Sequence, residues 1–125
     1  MRKKWNILYY TKKDDTCPVE DFINSRKPRN KSKILSFFDL LEEKGPNLQR
    51  PYADILEDGI HEIRIKLSGD QVRILYFFCF KDYIILTNSF IKNTDKVPKN
   101  QIKTAKKYRE DFLKRYNNKD LERFL

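Results

Sequence analysis

Cysteine and histidine are scarce in this chain of 125 residues, which holds two of the first and one of the second. Cys17 and Cys79 lie far apart and match no metal-ligand spacing. No dense cluster of aspartate and histidine suggests a metal either, so no cofactor is expected. Both thiols are expected to be free in a reducing cytosol, with Cys79 a small apolar residue on a strand. Long hydrophobic runs are also missing. Met1-Arg2-Lys3-Lys4 is basic, but the apolar run that follows, Trp5 to Tyr10, is interrupted by Asn6 and too short for a secretory signal. No segment is long enough to span a membrane. The expectation is a cytoplasmic protein without membrane contact. With no internal repeat and no low-complexity linker, residues 1–125 read as one domain with a core of its own.

What the chain has in excess is positive charge. Lysine and arginine number 27 against 18 acidic residues, a formal net charge of +9. Residues 1–50 carry 12 basic against 7 acidic side chains, and residues 94–125 carry 10 against 5. Residues 51–93 carry 5 against 6, so the excess flanks a near-neutral middle. Such a frame suits a polyanionic partner, nucleic acid first, although lysine also serves plain solubility.

That middle stretch organises the rest. From Gly59 to Leu67 the chain alternates, with His61, Ile63, Ile65 and Leu67 on one face and Glu62, Arg64 and Lys66 on the other, the period of a half-buried strand. Ser68-Gly69-Asp70 supplies a hairpin turn. Val72 to Phe80 is nearly all apolar, as a central strand covered on both faces would be, and its one charge is Arg73. After Lys81-Asp82, a third strand runs from Tyr83 to Lys92. If Arg73 faces the same side as Arg64, then Leu75, Phe77 and Cys79 join it there. Asn88, Phe90 and Lys92 would meet them from the third strand, with Ile84 and Leu86 further along. The polar end of that face would gather Arg64, Lys66, Arg73 and Lys92 around Glu62.

The flanks read as support. Trp5 to Tyr10 is a first strand. Thr16-Cys17-Pro18-Val19-Glu20 opens a helix that stops ahead of Pro28. A second helix runs from about Asn30 to Lys44, ended by Gly45-Pro46. Leu48 to Asp58 reads as a loop. A last, lysine-rich helix spans roughly Lys99 to Arg115, with Ile102, Ala105, Tyr108 and Phe112 as its apolar stripe. The expected class is α+β, in the order β-α-α-β-β-β-α. The sheet is antiparallel, the helices pack mainly on one side as a hairpin across one face, and the C-terminal helix is basic.

The combination His61-Glu62-Ile63-Arg64, Gln71-Val72-Arg73-Ile74-Leu75-Tyr76 and Asn88-Ser89-Phe90-Ile91-Lys92-Asn93-Thr94, followed by Val97-Pro98 and a basic helix, resembles the RelE/HigB-type toxins. It looks closest to their phage-derived branch, and the resemblance covers nearly the whole chain. It implies a small mRNA endonuclease of a type II toxin–antitoxin module, acting on mRNA in the ribosomal A site beside 16S and 23S rRNA. It also implies a helix-turn-helix, HigA-like antitoxin as partner.

By that resemblance Arg64, Arg73 and Lys92 bind phosphate and stabilise the transition state, with Glu62 as candidate base. Phe90 or Tyr76 would border or stack on a base. Lys66, Lys96, Lys99 and Lys103 would contact RNA. The chain departs from the family's pattern at Asn93, where many relatives carry a second lysine. It also has no clear counterpart of the histidine or tyrosine that moves a proton in some members. A cation cluster with one carboxylate suits attack by a 2′-hydroxyl on its own phosphate. It equally suits cross-strand ion pairs on a solvated sheet face. A RelE-like fold that binds RNA or protein without cutting is the competing reading, and a transcription-related partner of a phage protein is a third. Neither Arg64 nor Arg73 is expected to sit in the core, so alanine at either is expected to leave stability nearly intact.

Overall fold

The fold is that of a computed structural model, which describes residues 4–123. It is α+β, built on a five-stranded mixed sheet. The strands are β1 (Asn6–Tyr9), β2 (Ala53–Glu57), β3 (Ile60–Leu67), β4 (Asp70–Cys79) and β5 (Tyr83–Ile91). The helices are α1 (Pro18–Asn24), α2 (Pro28–Lys44), α3 (Lys99–Arg115) and a short α4 (Asn118–Glu122). Across the sheet the order is β1-β5-β4-β3-β2.

Four expectations are corrected. The sheet is not wholly antiparallel, because β1 pairs parallel with β5. The segment read as a loop contains β2, which pairs antiparallel with β3 and forms one edge. Asp58 and Gly59 between them both take positive φ, 49° and 80°. Two such residues in succession make the tight turn whose twist matches a hairpin. Ser68 and Gly69, at 41° and 94°, repeat the device between β3 and β4.

The third correction concerns the layers. Helices cover both sides of the sheet. Val19 of α1 and Ile34, Phe38 and Leu41 of α2 pack on Ile63, Ile65, Ile74 and Ile84. Ala105 and Phe112 of α3 and Leu121 of α4 pack on Ile60, Leu75, Phe77 and Ile85 on the opposite face. The apolar run of β4 requires this, since alternate side chains of one strand emerge on opposite faces and both sets need cover.

The fourth concerns phase along β5. Leu75 pairs with Asn88 but Tyr76 pairs with Leu86, so Thr87 is an extra residue in the ladder. This bulge reverses which residues face which side. Ile84 and Leu86 lie with the α1/α2 core, while Asn88 and Phe90 return to the α3 side. The Thr87 hydroxyl is tied to the Leu75 carbonyl at 3.1 Å and to the Asn88 side chain at 2.7 Å. The Asn88 amide in turn donates to Gln101 of α3, 3.0 Å from its side-chain oxygen. The bulge thus anchors the helix that walls the candidate site. Among the described residues, no helix is long and apolar enough to cross a membrane.

Candidate functional site

A cleft of about 280 Å3 opens where β2, β3, the end of β5 and the approach to α3 converge. Strand alternation puts Glu62 and Arg64 on its side of β3, and the register sets Arg73 directly opposite Arg64. One carboxylate serves both arginines. Arg64 Nη1 donates to Glu62 Oε2 at 3.0 Å, and Arg73 Nε stands 3.2 Å from Oε1. The second contact is an ion pair without hydrogen-bond alignment, and both of its atoms are shut from solvent with no other partner.

Arg64 and Arg73 are not equivalent. The Arg73 side chain is 4% exposed, and its remaining nitrogens donate to the Val72 carbonyl and to Gln71 Oε1, both at 3.1 Å. Burial lowers its pKa from the ordinary arginine value, an effect that Glu62 opposes. Arg64 is 25% exposed and gives Glu62 one of its donors, leaving the others open to the cleft. Arg73 is therefore a core residue, and the expectation that it lies outside the core is corrected.

Of the residues singled out in the sequence, Glu62, Arg64, Lys92 and Lys96 line this cleft. Lys66 and Arg73 line a neighbouring hollow of about 200 Å3, with Arg64 as the wall common to both. The Lys92 amide donates to the Gln71 carbonyl at 2.7 Å, which holds the residue as β5 ends. Lys99 and Lys103 are exposed on α3 and line neither cavity. Phe90, 8% exposed, is packed in the α3-side core, and Tyr76, 1% exposed, is packed in the other. Neither ring has an open face for a base. His61 stacks on Tyr76 with centroids 5.3 Å apart, on the face away from the cleft. Burial lowers its pKa.

Four charged lining residues escaped the sequence reading: Arg50, Asp54, Glu57 and Asp95. Arg50 donates to Asp54 Oδ2 through Nε at 3.0 Å and Nη2 at 2.8 Å. Those bonds hold the Asp54 carboxyl below its ordinary value. Recognising β2 would have found this pair, and the Asp58-Gly59 dipeptide is the signal for it. Asp95, by contrast, makes no ion pair or hydrogen bond among the described residues. Lys92 and Lys96 likewise meet no carboxylate within ion-pair distance among them. Arg50, Arg64, Lys92 and Lys96 face Asp54, Glu57, Glu62 and Asp95 across the cleft. Because Asp54 and Glu62 are held by arginines and Glu57 by Lys106 at 2.6 Å, the lysines, the outer donors of Arg64 and the Asp95 carboxylate are what a ligand would meet. Among the described residues no group of histidine, cysteine, aspartate and glutamate is placed to hold a metal ion.

No curated protein matches the chain. A family model described as "Phage derived protein Gp49-like (DUF891)" matches residues 21–110, nearly three quarters of the length and every residue of the cleft. That family lies within the superfamily of RelE/HigB-like toxins of toxin–antitoxin modules. The match covers well over half of the sequence, and the chain belongs to the Gp49-like family of phage-derived proteins.

Proposed function

We propose that the protein is the toxin of a type II toxin–antitoxin module, of the HigB-like branch, and a ribosome-dependent mRNA endoribonuclease. The observation that carries this reading is the Arg64 side chain, fixed by Glu62 at one nitrogen and open at the others, beside Lys92 and Lys96. A phosphodiester bound there meets a guanidinium fork and two ammonium groups. In the reaction the 2′-oxygen gives its proton to a base and bonds to phosphorus, while the bond to the 5′-oxygen breaks and that oxygen takes a proton from water, leaving a 2′,3′-cyclic phosphate and a 5′-hydroxyl. Arg64 and Lys92 stabilise the charge that builds on the phosphoryl oxygens. Arg73 acts through Glu62 and holds Arg64 in place. Asp95, the lining carboxylate without a partner, suits removal of the 2′-proton better than Glu62, which two arginines occupy. The cognate antitoxin is of helix-turn-helix type, and a RelE-like fold is the frame for this assignment.

The test is cleavage of a defined mRNA on programmed 70S ribosomes, mapped by primer extension, for wild type and Arg64→Ala. Cuts at A-site codons that fall by about 10²–10³ in the variant support the site. Folded wild-type protein that makes no cuts on ribosomes or on free RNA overturns the reading in favour of a binding module.

A further inference from the structure

A second charged and aromatic cavity lies at the other edge of the sheet. The end of β1 and the loop after it face the outer flank of α3 there, around a hollow of about 420 Å3. It is lined by Tyr10, Lys12, Lys13, Asp14, Lys107, Tyr108 and Asp111. Nothing in the reading of the first cleft uses these residues.

The floor is built. Tyr10 is 3% exposed, and its hydroxyl donates to Asp111 Oδ2 at 2.6 Å. Arg115 donates to the same oxygen from Nε at 3.0 Å and to the Thr11 carbonyl from Nη2. Asp111 is thereby neutralised from within. The loop is equally fixed: the Lys12 amide donates to the Thr16 carbonyl at 2.8 Å, and Asp14 accepts from the Thr16 amide at 2.9 Å. On this floor Tyr108 stacks on Tyr10, centroids 4.5 Å apart and planes 18° apart. Tyr10 is the buried ring of the pair, so Tyr108 carries the stack to the surface.

The rim is cationic. The Lys12 ammonium lies over the Tyr108 ring, 5.9 Å from its centroid. Lys107 meets no carboxylate within ion-pair distance among the described residues, and Lys13 reaches Asp111 only at 4.0 Å. An aromatic face framed by unneutralised lysines is the recognition chemistry of a single-stranded nucleic acid, base on ring and phosphate on ammonium. An acidic peptide would use the lysines but has no need of a stacking ring.

A path joins the two cavities. Lys99, Lys103 and Lys107 are exposed and spaced by four, so they form one ridge along α3. Ile102 borders the first cleft and Lys107 the second, about 7.5 Å apart along the helix axis. We infer that the Tyr108 hollow is a second RNA-binding subsite, where the Lys12 ammonium swings from the Tyr108 ring to a phosphate, a base takes its place on the ring, and a flanking phosphate meets Lys107. It serves the strand that crosses α3 from the first cleft. The inference rests on RNA as the substrate class proposed above, but not on cleavage.

An uncleavable probe keeps the two apart. A fluorescein-labelled single-stranded 2′-O-methyl RNA of twelve nucleotides is titrated by anisotropy at several salt concentrations. Replacing Lys12 and Lys107 together by alanine is expected to lower the salt slope of log affinity by about 1.4, at roughly 0.7 per phosphate contact on a single strand. Tyr108→Ala is expected to weaken binding about tenfold while Tyr108→Phe binds as wild type. Lys81→Ala, exposed on the turn after β4, serves as reference and should change neither. The inference is overturned if the lysine pair leaves the slope unchanged, or if Lys81→Ala lowers it as much. It is also overturned if poly-glutamate binds with the same dependence on Tyr108, which would assign the hollow to an acidic protein. The lysine variants do not touch the core, so they report even if Tyr108→Ala unfolds.

Discussion

Arg73 and Glu62 stand side by side in the interior, Nε 3.2 Å from Oε1, with side chains 4% and 2% exposed. Two charges withdrawn from water tolerate the interior only together. Removing either partner leaves the other buried and uncompensated, which costs about 3–5 kcal/mol. Arg73→Ala and Glu62→Ala are both expected to lose that much in urea denaturation, and Arg64→Ala much less, because its side chain keeps access to water. A loss under about 1 kcal/mol for Arg73→Ala would mean that water replaces the guanidinium, and the pair would not be part of the core.

Gly45 ends α2 at φ 51°, and a Cβ there would come within 2.3 Å of the Trp5 indole nitrogen. The Trp5 amide donates to the Glu42 carbonyl at 3.1 Å and its ring meets Phe78 edge-on, centroids 5.4 Å apart, so both backbone and ring are held near the helix end. Gly45→Ala therefore meets both backbone strain and a fixed aromatic wall, a cost of about 1–3 kcal/mol. Thermal unfolding should show a Tm lower by several degrees, with Trp fluorescence shifted in the folded state. An unchanged Tm would show that Trp5 is free to move aside.

The Tyr10–Asp111 bond gives stability an alkaline limit. Burial and then the hydrogen bond to Asp111 push the Tyr10 hydroxyl up to about 12. The unfolded tyrosine loses its proton near 10, so the unfolded chain binds fewer protons than the folded one between those values. Stability from this group is whole below pH 10 and is lost as pH rises toward 12. Asp111 is shifted the other way, chiefly by the same bond, so its contribution is lost on acidification through its folded value. Burial raises other tyrosines as well, Tyr76 and Tyr83 among them, so the readout is a difference. The stability gap between wild type and Tyr10→Phe should be constant from about pH 5 to 9 and close above pH 10. A gap that stays constant to pH 12 would mean that the hydroxyl contributes nothing through its proton.

Much of this architecture was legible in the residues. Alternation through Glu62, Arg64 and Lys66 places them on one face, and the register set by the two-residue turn pairs Arg64 with Arg73 across the hairpin, the condition on which the cluster depends. The apolar run of β4 already asked for cover on both sides, although the helices were assigned to one. The remainder was hidden for physical reasons. β2 is a short, half-exposed edge strand with Ile55 at 62% exposure, so it lacks the apolar alternation by which strands are found. The bulge at Thr87 leaves no periodic mark, since one inserted residue reverses the faces of a run apolar on both. Arg50 and Asp95 reach the cleft only through tertiary folding. The burial of Glu62 and Arg73 follows from tertiary packing over their face, which strand phase alone does not reveal.

Glu62 and Asp95 divide the possible work of a carboxylate in the cleft, and substitution separates them. A base must be free to accept a proton. Glu62 is enclosed by Arg64 and Arg73, so its work is to orient the guanidinium that meets phosphate. Glu62→Gln keeps the shape and one acceptor oxygen, and it is expected to lower kcat on programmed ribosomes by less than Asp95→Asn does. Asp95→Asn is expected to lower kcat by about 10²–10⁴, with Tm unchanged because the side chain is exposed. Wild-type cleavage by Asp95→Asn, with cleavage lost in a folded Glu62→Gln, would exchange the two roles and make the buried carboxylate the base.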